Sequence, residues 1–85
     1  MYLEILTPDK TVFAGKIKSV KVPGTKSPFT ILKKHAPIIS TLNSGEVSLV
    51  TASDIGLLYT ISEGIIEVNK NKIMVLAEKI SQLEI

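Results

Sequence analysis

Between its turns this chain repeats apolar residues at every second position, the spacing of a half-buried strand, and the runs are too short for a helical period to compete. An all-β fold follows. Tyr2 to Thr7 places Leu3 and Ile5 on one face, and Lys16 to Val22 alternates lysines with apolar residues. The second run changes phase, because Ile17 cannot share a face with Val20 and Val22. One extra residue near Lys18 and Ser19, a β-bulge, restores it. Phe29 to Leu32 is a short strand after the Pro23-Gly24 turn, and Glu46 to Thr51 follows Asn43-Ser44-Gly45. Leu57, Tyr59 and Ile61 share a face beyond Ser53-Asp54. Ser62-Glu63-Gly64 then turns the chain into a hairpin, Ile65 to Val68 and Lys72 to Ala77, around Asn69-Lys70-Asn71. In its second strand Ile73, Val75 and Ala77 point one way and Met74 and Leu76 the other, which predicts a strand covered on both sides. Leu76, Ile80 and Leu83 recur at intervals of four and three, so the tail reads equally as a helical turn or as a frayed tail or edge strand. Many short strands at turn-bounded intervals make a sandwich or a small barrel, and periodicity does not choose between them.

With 85 residues, 45% of them hydrophobic and 21% charged, the chain is expected to form one domain, residues 1–85. A domain this small buries roughly 60–65% of its unfolded surface, so a deep cleft would consume its core. Cysteine is absent, which removes disulfides, thiol chemistry and thiolate metal sites. Glu4 interrupts the apolar start, and no apolar run reaches about eighteen residues. The expectation is a chain neither secreted nor membrane-spanning.

The formal charge of +2 is unevenly spread. Met1 to His35 holds seven Lys against Glu4 and Asp9, whereas the remainder holds three Lys against six acids. All ten basic residues are Lys, and the missing arginines remove the usual bidentate contacts to phosphate and guanine. The aromatics are Tyr2, Phe13, Phe29 and Tyr59, most of them needed as core, so a stacking platform for single-stranded nucleic acid is lacking. Catalysis has little to work with. One His and scattered acids make no metal set, and the triple Ser40, His35 and Asp54 is the kind that arises by chance. Gly24, Gly45, Gly56 and Gly64 stand singly at turns, so no loop cradles a phosphate.

The segment Pro23-Gly24-Thr25-Lys26-Ser27-Pro28-Phe29-Thr30-Ile31-Leu32-Lys33-Lys34-His35-Ala36-Pro37-Ile38-Ile39, followed by Leu42 and Gly45, stands out. Pro37 forces Ala36 out of the helical region, and Ala36 is small enough for a tight crossing, so the chain reverses there. His35 is expected to hydrogen-bond the backbone of its own turn, with direct contact to a partner as the alternative. Phe29, beside the rigid Pro28, suits either the core or a partner surface.

This segment resembles the N-terminal domain of the epsilon subunit of rotary F-type ATP synthases. The opening Tyr2-Leu3-Glu4-Ile5 through Thr7-Pro8, the Phe13-Ala14-Gly15 step, and Glu63-Gly64-Ile65-Ile66-Glu67-Val68 with Ile73-Met74-Val75-Leu76-Ala77 are similar in order and spacing. The resemblance implies a flattened β-sandwich of about nine or ten short strands. It implies a non-catalytic rotor part that couples ion-driven rotation to ATP synthesis at the cytoplasmic face of the bacterial inner membrane. The implied partners are the gamma subunit and the c-ring. Carried over by position, Lys26, Ser27, Pro28 and Phe29 are expected at the c-ring, and His35, Pro37, Ile38 and Leu42 at gamma. Relatives of this kind carry glycines where Ser27, Thr30 and Lys34 stand, and an acidic residue near Pro28 where this loop is basic. Their helical C-terminal hairpin has no counterpart before Ile85, so a short form without ATP binding, self-inhibition or any cofactor is expected. A small basic β-barrel binding nucleic acid, recognised by steep salt dependence, is the main alternative. An enzyme is the second, recognised by a pocket of convergent ionisable groups.

Overall fold

A computed structural model describes residues 1–83 and contains, among them, nine strands and no helix. In chain order these are β1 (Tyr2–Leu6), β2 (Thr11–Val22), β3 (Phe29–Ile31), β4 (Ile38–Leu42), β5 (Gly45–Thr51), β6 (Gly56–Ile61), β7 (Gly64–Asn69), β8 (Lys72–Ala77) and β9 (Ile80–Leu83). They form two layers. The first sheet runs β4-β7-β8-β1-β2 and the second runs β3-β2-β5-β6-β9. β2 belongs to both: its first half lies antiparallel to β1, and its second half lies between β3 and β5. All neighbours are antiparallel except β1 and β8, which run parallel with Tyr2 opposite Lys72.

The change of phase expected in β2 is present. Ile17 lies opposite Thr51 and Ser19 opposite Val50, so Lys18 is the extra residue of a bulge. That single insertion lets Ile17, Val20 and Val22 all point inward, exposed by 4% or less. A second irregularity lies where Ile5 faces Phe13 but Leu6 faces Thr11, leaving Val12 over. These kinks bend β2 out of one sheet and into the other. At its far end Gly24 forms a bridge with Leu42 on β4, the opposite edge of the first sheet.

The interior follows the alternation. Leu3, Ile5, Ile31, Leu42, Val47, Leu49, Ile66, Ile73 and Val75 are essentially inaccessible. Each such side chain contributes about 1.5–3 kcal/mol relative to exposure. Phe13 of the first sheet meets Tyr59 of the second edge-on, ring centroids 6.4 Å apart at 63°. The β7–β8 hairpin closes through Lys70 and Asn71, both at positive φ, as a two-residue hairpin turn demands. The molecule measures 27 × 26 × 23 Å, with a radius of gyration of 11.4 Å against about 12 Å for a compact chain of this length.

One expectation is corrected and one alternative is settled. β8 is not covered on both sides: Ile73, Val75 and Ala77 are buried, but Met74 and Leu76 are only half-buried. Their cover is lateral, since Met74 lies between Glu4 and Glu67, and Leu76 between Leu6 and Ile65, on the neighbouring strands. The tail resolves as the edge strand, β9, paired with β6. Ser62 seats its start: Ser62 N donates to the Lys79 carbonyl at 2.9 Å, and Lys79 N donates to Ser62 Oγ at 3.1 Å.

Candidate docking surface

The loop joining β2 to β3 folds back because residue 24 lacks a side chain. A Cβ there would stand 2.6 Å from both the Phe29 ring and the Ser27 carbonyl. The loop then hangs on β4. Thr25 N donates to the Thr41 carbonyl at 3.2 Å, Asn43 N to the Pro23 carbonyl at 2.7 Å, and the Thr25 and Thr41 hydroxyls meet at 2.9 Å. These bonds use up backbone groups of an edge strand that would otherwise be open to another chain.

The β3–β4 connection turns where His35 N donates to the Leu32 carbonyl at 3.2 Å, with Lys34 in the left-handed region at φ 66°. Of the three positions where the resemblance implies glycine, only Lys34 adopts this conformation. His35 Nδ1 donates to the Ala36 carbonyl at 2.7 Å, the bond within its own turn that the sequence reading expected.

Along β4, Leu42 is 1% exposed and Ile38 half-buried, so the alternating residues Ile39 and Thr41 face outward. Ile39 is 70% exposed and stands between two shallow grooves. On one side, a groove of about 500 Å³ is walled by Thr25, Lys26, Ser27 and Phe29 of the loop and by Thr41. On the other, a groove of about 380 Å³ is walled by Pro37, Ile38, Glu67 and Asn69.

The fold thus brings together most of the residues picked from sequence. Lys26, Ser27 and Phe29 line the first groove, and Pro37 and Ile38 line the second. Pro28 is exposed on another side, beside Lys21 and Glu46. His35 is exposed but lines neither groove. Leu42 is a correction. Its side chain belongs to the core, because it occupies the inward phase of β4. Ile39 was missed, although two successive isoleucines in one strand must send one outward.

Chemically the surface offers an ammonium, a carboxylate, hydroxyls and exposed aliphatic carbon, which is equipment for binding. Among the described residues no three His, Cys, Asp or Glu side chains come together as a metal site. Burial pushes the Tyr59 phenol above its ordinary range, but Tyr59 lies in the core and lines neither groove. No helix of the described residues is long and apolar enough to cross a membrane.

Comparison with other proteins agrees with this architecture. Residues 1–82 match the family described as the beta-sandwich domain of the ATP synthase delta/epsilon chain. The ATP synthase epsilon chain of Chlorobaculum tepidum is 40% identical over 79 residues, which cover 93% of this chain and 90% of the relative. That of Campylobacter hominis is 37% identical over 78 residues, covering 91% of this chain and 60% of the relative. Among solved structures, a chain of the Euglena gracilis mitochondrial ATP synthase superimposes with a TM-score of 0.86 at 14% identity, covering 94% of this chain and 51% of its own length. A chain of the Tetrahymena thermophila mitochondrial ATP synthase central stalk and c-ring gives 0.78 at 15%, covering 95% and 65%. At such identities the superpositions speak for the fold, and the sequence matches speak for descent. The chain belongs to the family of ATP synthase delta/epsilon chains, as a beta-sandwich domain of that family.

Proposed function

We propose that this chain is a non-catalytic rotor subunit of an F-type ATP synthase, docking on the gamma subunit and the c-ring and thereby coupling ion-driven rotation to ATP synthesis. The observation that carries the reading is the 40% identity to an ATP synthase epsilon chain of which the match covers 90%. The chain works as one domain, peripheral to the membrane through the complex, at the cytoplasmic face of the bacterial inner membrane. A rotor contact must not slip, which calls for apolar area with charges at its rim to fix register. The surface around β4 has that composition. Lys26, Ser27 and Phe29 on one side of Ile39 serve the c-ring, with Pro28 on the adjoining flank. Pro37 and Ile38 on the other side serve gamma, with His35 holding the turn that leads into them and Leu42 supporting the strand from beneath.

A nucleic-acid module is not favoured. Lys18 and Lys72 are already paired, with Asp54 and Glu4, and Tyr2, 40% exposed, is the one exposed aromatic ring among the described residues.

Co-purification with gamma and the c-ring from the same cell tests the proposal. The wild-type chain is expected to recover both at moderate salt. Ile39→Lys, at a site 70% exposed and therefore harmless to folding, is expected to lower recovery at least tenfold, as loss of a central anchor does. Recovery of neither partner, with salt-sensitive retention of an oligonucleotide instead, sinks the rotor reading.

A further inference from the structure

The two grooves beside Ile39 differ in charge. The first contains Lys26 and no carboxylate, and the second contains Glu67 and no ammonium. Two other depressions hold both signs. The depression that holds Lys21 also holds Glu46, and the one that holds Lys72 also holds Glu4 and Glu67, with Lys72 Nζ 3.3 Å from Glu4. Of these four depressions, the one against the β2–β3 loop alone presents a cation with no acid to answer it.

Its other polar groups fit the same ligand. The Thr25 and Thr41 hydroxyls share one hydrogen bond at 2.9 Å, so only one of their two protons is used, and the exposed Ser27 hydroxyl stands beside Lys26. Ammonium and hydroxyl protons together suit a carboxylate, which accepts several charge-assisted bonds at once. Phe29 and Ile39 supply apolar walls, so the carboxylate should arrive on a chain that also carries apolar residues.

We propose that the groove between the β2–β3 loop and β4 receives an acidic side chain of a partner polypeptide loop, with Lys26 as its counter-ion and Ile39 as the adjoining apolar contact. The proposal rests on the rotor reading, under which that loop belongs to the c-ring. Glu67, across Ile39, then sets the direction of approach: the partner's acid lies toward Lys26 and is repelled from the Glu67 side.

The experiment captures the detergent-solubilised c-ring and, separately, the gamma subunit from the same cell on immobilised wild-type chain, Lys26→Arg, Lys26→Glu and, as a charge-matched control on a distant turn, Lys10→Glu. Lys26→Glu is expected to weaken ring capture by about tenfold or more, while Lys26→Arg and Lys10→Glu stay near wild type. Gamma capture is expected to be unchanged in all four, which also shows that the variants are folded. A charge reversal of an acidic loop residue on the ring should restore capture by Lys26→Glu. Equal ring capture by Lys26→Glu and Lys10→Glu, or tighter capture by Lys26→Glu, overturns the groove proposal and leaves the rotor reading standing. Capture of neither partner by the wild-type chain overturns both.

Discussion

Ile38 and Ile39 are the same residue side by side, yet one packs against the core and the other is 70% exposed. The phase of β4 decides between them, and that phase is fixed three residues on by Leu42, whose burial in turn removes it from any contact surface. Sequence gives the residue types but not the phase of so short a strand, which is why Leu42 was read as surface and Ile39 passed over. His35 was legible for the opposite reason: its bond to the Ala36 carbonyl is local and needs no distant partner. Tyr59 carries a prediction at this scale. Burial raises its phenol above the ordinary value of 10.0, so the folded state holds the proton longer than the unfolded chain. Its contribution is whole below pH 10 and is lost as the pH rises from there through the folded value. Base titration followed by phenolate absorbance should show one tyrosine ionising together with unfolding, and Tyr59→Phe should remove that step. A Tyr59 that ionises at its ordinary value with the fold intact contradicts this.

At the level of the strands, the bulge in β2 was readable because Ile17, Val20 and Val22 cannot share a face without an inserted residue. The consequence is testable. Deleting Lys18 leaves Ile17 two positions before Val20, so a regular strand keeps both inward and the variant should lose only the kink and the exposed pair with Asp54. Deleting Lys21, where the ladder is regular, instead puts Val22 out of phase with Ile17 and Val20 and should cost several kcal/mol, as burying polar side chains in a core does. Chemical denaturation of the two variants measures both, and equal stabilities refute the assignment of Lys18 as the extra residue. The strands that went unseen have weak local signals. The first half of β2 contains Ala14 and Gly15, poor strand formers, and β4 carries the consecutive polar residues Ser40 and Thr41, which break its apolar alternation. β9 was ambiguous because Leu76, Ile80 and Leu83 satisfy a helical spacing, and the β6 edge that captures the tail lies far from it in sequence.

For the whole molecule, the decisive contact is the parallel pair of β1 and β8, which joins the two ends of the sequence in the middle of the first sheet. No local signal announces such a pairing, so the all-β class was legible and the strand order was not. The pairing also makes folding all-or-none. A fragment of residues 1–51 keeps β1 and β2 but loses β8, the neighbour on the other side of β1, and β6 and β9 of the second sheet. It is expected to show no cooperative thermal transition by circular dichroism, while the full chain shows a single one. A cooperative transition in the fragment refutes this.

In a sandwich whose layers touch only through side chains, one layer can slide over the other at modest cost. Here β2 is a common member of both layers, stitched to β1 at one end and to β5 at the other. Slip between the layers therefore requires tearing a ladder of hydrogen bonds in shear, many at once. A body built this way has little torsional give, so a twist applied at one face is delivered at the other with almost no lag.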